Sequence, residues 1–330
     1  MTETSTLSQQ LSSFAAGTNY RDLPRDVIDS VKHRLLDTIG ISLAALVVDT
    51  SKMASELAML WGGSEQSTAF GVPRRIPASS AAFVNGVLAH TLDFDDTHLP
   101  SVLHPSASIV PSAIAVGEAT GSTAKDVIAA AAAGYEVCIR TGMAGFDRVL
   151  GNSVFFEHGW HATSICGTLA AAVVAAKLYG LSAEGIAHAL GIAASMSSGV
   201  LEANRTGGSV KRLHCGWAAH AGIMAAQSAR GGFTAPDSIL EGRFGFYRAF
   251  CHGHFKKEEI THGLGTDWNV TKIFYKPYPA NHFTHAAIDA ALKVRQFVRI
   301  DDIADIELRV AAPTLRTIAE PRESKARPQS

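Results

Sequence analysis

Residues 126–144 read DVIAAAAAGYEVCIRTGMA, with Thr123 three positions ahead of Asp126. That spacing makes a capping box, in which a threonine hydroxyl and an acidic side chain each take one of the unpaired amides at a helix start. The stretch that follows is apolar on several faces and built largely of alanine and glycine. Such a helix has to be buried, and its small side chains let neighbouring axes approach closely. The same texture recurs in GTLAAAVVAA (167–176), GIAHALGIAA (185–194) and WAAHAGIMAA (217–226). Upstream, Asp22 and Pro24 open a helix whose apolar residues Val27, Ile28, Val31, Leu35, Ile39 and Leu43 follow helical spacing. Further helices are expected at 78–90, from Pro105–Pro111 to Gly121, and at 161–179, 183–198 and 213–230. Residues 1–265 therefore read as one all-α domain.

The texture changes after residue 265. Val270 to Tyr278 is rich in β-branched and aromatic residues, a helix is expected at 284–298, and IADIELRVA (303–311) has the alternation of a strand. Residues 266–330 read as the beginning of a smaller α+β domain, which looks cut short at KARPQS. The expected fold class is mainly α: a large all-helical domain followed by the start of an α+β one.

The 330 residues are 47% hydrophobic and 18% charged, which calls for a sizeable core and excludes general disorder. With 29 basic against 30 acidic side chains, bulk charge gives no handle for nucleic acid or a membrane surface. Cys138, Cys166, Cys215 and Cys251 form no CxxC pair and fall mostly in apolar helical patterns, as buried thiols of a reducing compartment do. MTETSTLSQQLSSF lacks the basic start and apolar run of a secretory signal, and apolar stretches such as ATSICGTLAAAVVAA (162–176) fall short of a membrane span. A cytoplasmic location is expected.

Four polar segments feed these apolar helices. LDFDDTHLPSVLHP (92–105) holds Asp93, Asp95, Asp96, His98 and His104; FFEHGWHATS (155–164) holds Glu157, His158 and His161. NRTGGSVKRLH (204–214) places Lys211, Arg212 and His214 after a Gly-Gly turn, and KPYPANHFTH (276–285) carries Lys276, Tyr278, His282 and His285. Each has a bland alternative. The carboxylates of the first segment suit helix caps, His161 and His285 suit structural caps, and His188 and His220 suit packed or surface positions. Together the four segments fit proton transfer beside a carboxylate: lysine and backbone amides bind an anion, and histidines move protons near neutral pH. The first loop alone is also compatible with a metal nest. No GxGxxG or Walker sequence points to NAD or ATP.

HTLDFDDTH (90–98), HPSASIVPSAIAVGE (104–118), GWHATSICGTLAAAVVAAKL (159–178), VKRLHCGWAAHAG (210–222) and KPYPANHFTHAAIDA (276–290), in this order, resemble the MmgE/PrpD family. The resemblance runs from about residue 5 to the end. It implies a large helical domain with a smaller α+β one, a homodimer, no metal or other cofactor, and chemistry on small polycarboxylates. Known activities in the family are 2-methylcitrate dehydration, cis-aconitate decarboxylation and iminodisuccinate epimerisation.

Carried over by motif, the family's site falls on Asp93, Thr97, His104, His161 and Lys211, with His285 as the last histidine and His282 as its alternative. Lys211, with Arg212, would bind substrate carboxylate. His104 and His161 would transfer protons, Asp93 would orient a histidine or act as base, and Thr97 would hydrogen-bond substrate. Asp95, Asp96 and His98 are left to shape the loop. The resemblance implies a tyrosine in decarboxylases where LRTIAEP (315–321) has none, which places 2-methylcitrate-like dehydration first and epimerisation or decarboxylation second. An inactive helical dimer scaffold and a metal hydrolase built on the first loop are the competing function classes.

Overall fold

The structure, a computed structural model, describes residues 5–311 and 314–326. Among the described residues ten helices have ten or more residues: α1 (Leu7–Gly17), α2 (Arg25–Ala44), α3 (Asp49–Trp61), α4 (Ala78–Thr91), α5 (Ser106–Thr120), α6 (Ala124–Ala144), α7 (Ala162–Leu178), α8 (Ala183–Met196), α9 (Val210–Arg230) and α10 (His285–Val294). The chain is mainly α, as its small-residue helices require. The capping box at α6 forms as expected, with Asp126 N–H donating to Thr123 Oγ1 and Thr123 N–H to Asp126 Oδ2. A second one, Thr6 with Gln9, opens α1, a helix that the periodicity argument passed over along with α3.

The alanine-rich helices form the centre. Every residue of α4, and α7 from Ala162 to Ala176, is buried. By length and composition α6 could cross a membrane, contrary to the expectation that no segment reaches that length, but its faces are largely buried inside the protein. Helix α4 meets α9 backbone to backbone. A Cβ on Gly216 would lie 2.4 Å from Phe83 O, and one on Gly86 would lie 2.8 Å from Gly216 Cα. This contact sets the site, because His90 lies one turn beyond Gly86, and Lys211 and His214 lie just before Gly216.

Two buried arginines fasten the C-terminal segment to the bundle. Arg140 on α6 donates to Glu136 and to the carbonyls of Ile260, His262, Gly263 and Asp267, while Glu136 accepts from Asn269. Arg34 on α2 bonds Asp96 and Ile273 O, at 2.9 and 2.6 Å.

The expected strands do not form. Residues 303–311 carry no ladder, and Ile303, Ile306 and Leu308 are exposed. The stretch 270–278 begins inside a 3₁₀ turn (Asn269–Lys272) and then makes one isolated bridge, Thr97 to Phe274. Alternation favours a strand only where a neighbour satisfies its amides and covers one face; among the described residues 303–311 has none, and 270–278 has only that single bridge. The helix expected at 284–298 is confined to His285–Val294. The last residues of KARPQS, 327–330, lie outside the described ones.

The α4–α9 contact yields a prediction. Gly216→Ala should destabilise the protein by about 3 kcal/mol, the upper range for overpacking, since backbone and not a flexible side chain must give way. Gly40→Ala on α2, where a Cβ meets nothing within 4 Å, should stabilise by about 0.5–1 kcal/mol. Urea unfolding of both variants checks this, and equal midpoints would contradict it.

Candidate active site

The loop after α4 begins in a restricted conformation. Asp93 has φ of 49°, a left-handed backbone that aspartate tolerates better than most residues. Paired backbone bonds then fix the loop, Thr97 with Phe274 in both directions at 3.0 Å and His98 with Leu103 at 2.8 and 3.3 Å. The first of these pairs brings in Lys276, two residues beyond Phe274. Its buried ammonium donates to Asp93 O at 2.6 Å and Asp93 Oδ1 at 2.8 Å, and lies 3.9 Å from Asp95 Oδ1. Lys211, from the first turn of α9, lies 3.7 Å from the same Asp93 oxygen. Burial pushes the Asp93 carboxyl up, but Lys211 and Lys276 outweigh it and hold the group well below the usual carboxylate range.

Behind this ion cluster stands a group of imidazoles. His90 bonds Asp95 through Nδ1 at 2.7 Å, and its ring centroid lies 5.6 Å from His104 and 5.5 Å from His161. His104 Nδ1 meets Thr97 Oγ1 and Asp96 O, both at 3.0 Å. His161 and His214 meet through their Nδ1 atoms at 3.1 Å. Burial, and then Lys276, lowers the His104 pKa to about 3. Burial lowers His214 to about 4 and drives His161 well below its ordinary value. Asp95 is held at about 2 because His90, His104 and Lys276 together outweigh its burial.

A cavity of 710 Å³ opens onto Asp93 and Lys211. Its wall also carries Arg205, Arg212 and Lys325, and among the described residues Asp93 is its single carboxylate. The geometry suits a small polyanion: ammonium and guanidinium groups for carboxylates, and neutral imidazoles beside them for protons.

The structure gathers Asp93, His104, His161 and Lys211 into this cluster and places Arg212 on the cavity wall. Thr97, expected on substrate, is fully buried and its hydroxyl is engaged by His104. His285, expected as the last site histidine, bonds Ala280 O at 3.1 Å and packs edge-on against Tyr278. His282 takes the nearer place, 6.5 Å from His104, and its environment includes Lys276, Asp93 and Lys211. The cause is the irregular backbone of 276–281 and the 3₁₀ turn His282–Thr284 that follows it, whose direction no helical or strand period fixes. His161 stands at the N-cap of α7 but makes no side-chain cap bond. His220 is packed between Trp61 and Trp217 and bonds Ser79 O, the structural role expected of it.

Sequence reasoning gave Lys276 and His90 no role at the site and left Asp95 only to shape the loop. Lys276 and His90 stood inside quoted motifs, but only an interelement bridge shows that they meet. A cation fits poorly here. His90, Asp95 and Cys215 offer ligand atoms within 4.8 Å of one another, yet the Lys276 ammonium stands 3.9 Å from Asp95 and the Cys215 thiol is pushed well up by burial.

The MmgE/PrpD N-terminal domain description matches residues 9–259. Among curated proteins, the chain is 29% identical over 286 residues to a cis-aconitate decarboxylase of Aspergillus terreus (strain NIH 2624 / FGSC A1156), covering 83% of this chain and 57% of that one. It is 32% identical over 277 residues to the Homo sapiens cis-aconitate decarboxylase, covering 82% and 56%. To the Mus musculus cis-aconitate decarboxylase it is 30% identical over 287 residues, covering 85% and 57%. The chain thus spans somewhat over half the length of these curated relatives.

The neutral histidines make stability depend on pH. Unfolded histidine binds its proton near pH ~6.5, whereas folded His214 and His104 hold out to about 4 and about 3. Between those values the unfolded state binds more protons, so stability is complete above pH ~6.5 and falls as pH drops through this window. Urea midpoints should decline from about pH 7 to about pH 4, less steeply in His214→Gln; a flat profile would contradict the buried neutral cluster.

Proposed function

The chain belongs to the MmgE/PrpD family, and we propose that it is a lyase for a small tricarboxylate, with decarboxylation of cis-aconitate as its reaction. The observation that carries this is the charge arrangement. Asp93 sits between Lys276 and Lys211, on a cavity wall otherwise rich in arginine and lysine. Such a site has more positive charge than its own carboxylates neutralise, and a polycarboxylate supplies the balance.

Loss of CO2 leaves the electron pair of the broken C–C bond on the carbon skeleton, where conjugation with a remaining carboxylate makes an enediolate. In this reading Lys211, on the cavity wall, stabilises that charge, Lys276 behind Asp93 adds to the positive field, and Arg212 holds a distal carboxylate. An imidazole of the cluster, its proton affinity raised by the bound carboxylates, supplies the proton that completes the product; His104 and His161 are the members that the family motifs nominate. Dehydration of a 2-methylcitrate-like acid stood first on sequence grounds, because LRTIAEP lacks a tyrosine. The names of the three relatives favour the decarboxylase instead and leave dehydration second. A cytoplasmic homodimer belongs to the same proposal. It is supported by four buried, unpaired cysteines and by exposed Leu36, Val47, Met53 and Leu60 on and between α2 and α3.

The test is direct. The purified chain should release CO2 from cis-aconitate and, in D2O, place deuterium on the product. Lys211→Ala should lower kcat/KM by about 10²-fold. Water loss from 2-methylcitrate with no CO2 from cis-aconitate would overturn the decarboxylase reading, and an unchanged kcat/KM would remove Lys211 from the site.

A further inference from the structure

The imidazoles differ in what their nitrogens meet. His104 Nδ1 is held by Thr97 and Asp96 O, and the Nδ1 atoms of His161 and His214 face each other. His90 Nδ1 is held by the Asp95 carboxylate at 2.7 Å, while His90 Nε2 is buried and meets no hydrogen-bond partner among the described residues. Both residues are 2% exposed. Of these four rings, His90 is the one on the wall of the 710 Å³ cavity, next to Asp93 and across from Lys211 and Arg212.

A carboxylate on Nδ1 fixes the tautomer and ring orientation and stabilises the imidazolium that forms when Nε2 takes a proton. Burying an unpartnered nitrogen costs stability, and folded proteins keep few such atoms. A ligand C–H or carboxyl group delivered through the cavity would give this one its partner. The charged and titratable groups around the ring are Asp95, Asp93, Lys211, Lys276, His104, His161, His214 and Cys215. Lys276 is itself bound to Asp93, so Asp95 remains to serve His90.

We propose that His90, on the cavity wall, is a catalytic residue, the acid and base that exchanges a proton with the substrate carbon, and that Asp95 is its positioning residue. This rests on the proposed polycarboxylate function. In decarboxylation the C–COO⁻ bond breaks, its pair passes into the enediolate, and His90 Nε2–H protonates that carbon. The N–H pair stays on Nε2, which regains a proton from water. In exchange without decarboxylation, Nε2 takes a proton from a C–H next to a carboxylate and the C–H pair enters the enediolate; return of a deuteron completes the cycle.

The experiment uses the full chain with cis-aconitate. His90→Ala should lower kcat by about 10²-fold or more while KM changes by less than about threefold, since the cationic groups that bind the substrate remain. Added imidazole should restore part of the His90→Ala rate, which it would not do for a purely structural residue. Asp95→Asn should lower kcat and shift the pH profile, with His90→Gln as the variant closest in size should His90→Ala fail to fold. Folded His90→Ala and His90→Gln at wild-type kcat would overturn the inference.

Nitrogen-15 spectra of the His90 ring, assigned by their loss in His90→Gln, give an answer that needs no turnover. Cis-aconitate should move the Nε2 signal and leave Nδ1 in place, and an unmoved Nε2 would overturn the role of His90. A wild-type chain that releases no CO2 overturns the decarboxylase reading instead, with His90 then judged by these spectra.

Discussion

The Lys276 side chain is fully buried, and a buried ammonium has to be neutralised where it stands. Asp93 does this with both its carboxylate and its backbone carbonyl, and Asp95 lies within 4 Å. Much of the site follows from that requirement. The loop turns through a left-handed residue to present Asp93, and Phe274 pairs with Thr97 to bring the lysine in. Arg34 holds both segments by bonding Asp96 on one and Ile273 O on the other. Removing one partner of such a buried pair typically costs about 3–5 kcal/mol, so the ion cluster is structural as well as chemical.

The same burial sets the protonation states. With two ammoniums close by and little water, His104, His161 and His214 are held neutral, and Asp93 and Asp95 are held ionised. Positive charge is thus concentrated on lysine and arginine, where it can meet carboxylates, and the imidazoles are left free to move protons. The backbone contact at Gly86 and Gly216 makes this possible, because it draws the C-terminal end of α4 and the N-terminal end of α9 together.

Much of the helical part was legible in the sequence. Thr123 and Asp126 announced α6, and alanine runs announced helices buried on all sides. These features are local, so the chain's own spacing reveals them. The strand expected at 303–311 was not recoverable in that way, since a strand depends on a partner that spacing does not supply. Within the site, Asp93, His104, His161 and Lys211 could be picked out because the family's motifs fall on them, in polar segments that punctuate helix ends. Lys276 could not, because its importance comes from a bridge between segments 177 residues apart in sequence, Thr97 and Phe274. Motif register favoured His285 over His282, whereas the irregular path of 276–281 and the 3₁₀ turn His282–Thr284 bring the His282 ring toward His104.

The proposed polycarboxylate site rests on one feature, a cationic cavity with Lys211 on its wall and Lys276 buried behind Asp93. Isothermal titration of the full chain with cis-aconitate and with its uncharged trimethyl ester tests it most directly. Binding of the acid alone, weakening as salt is raised and lost in Lys211→Ala, is expected. Equal binding of acid and ester, insensitive to salt, would contradict it.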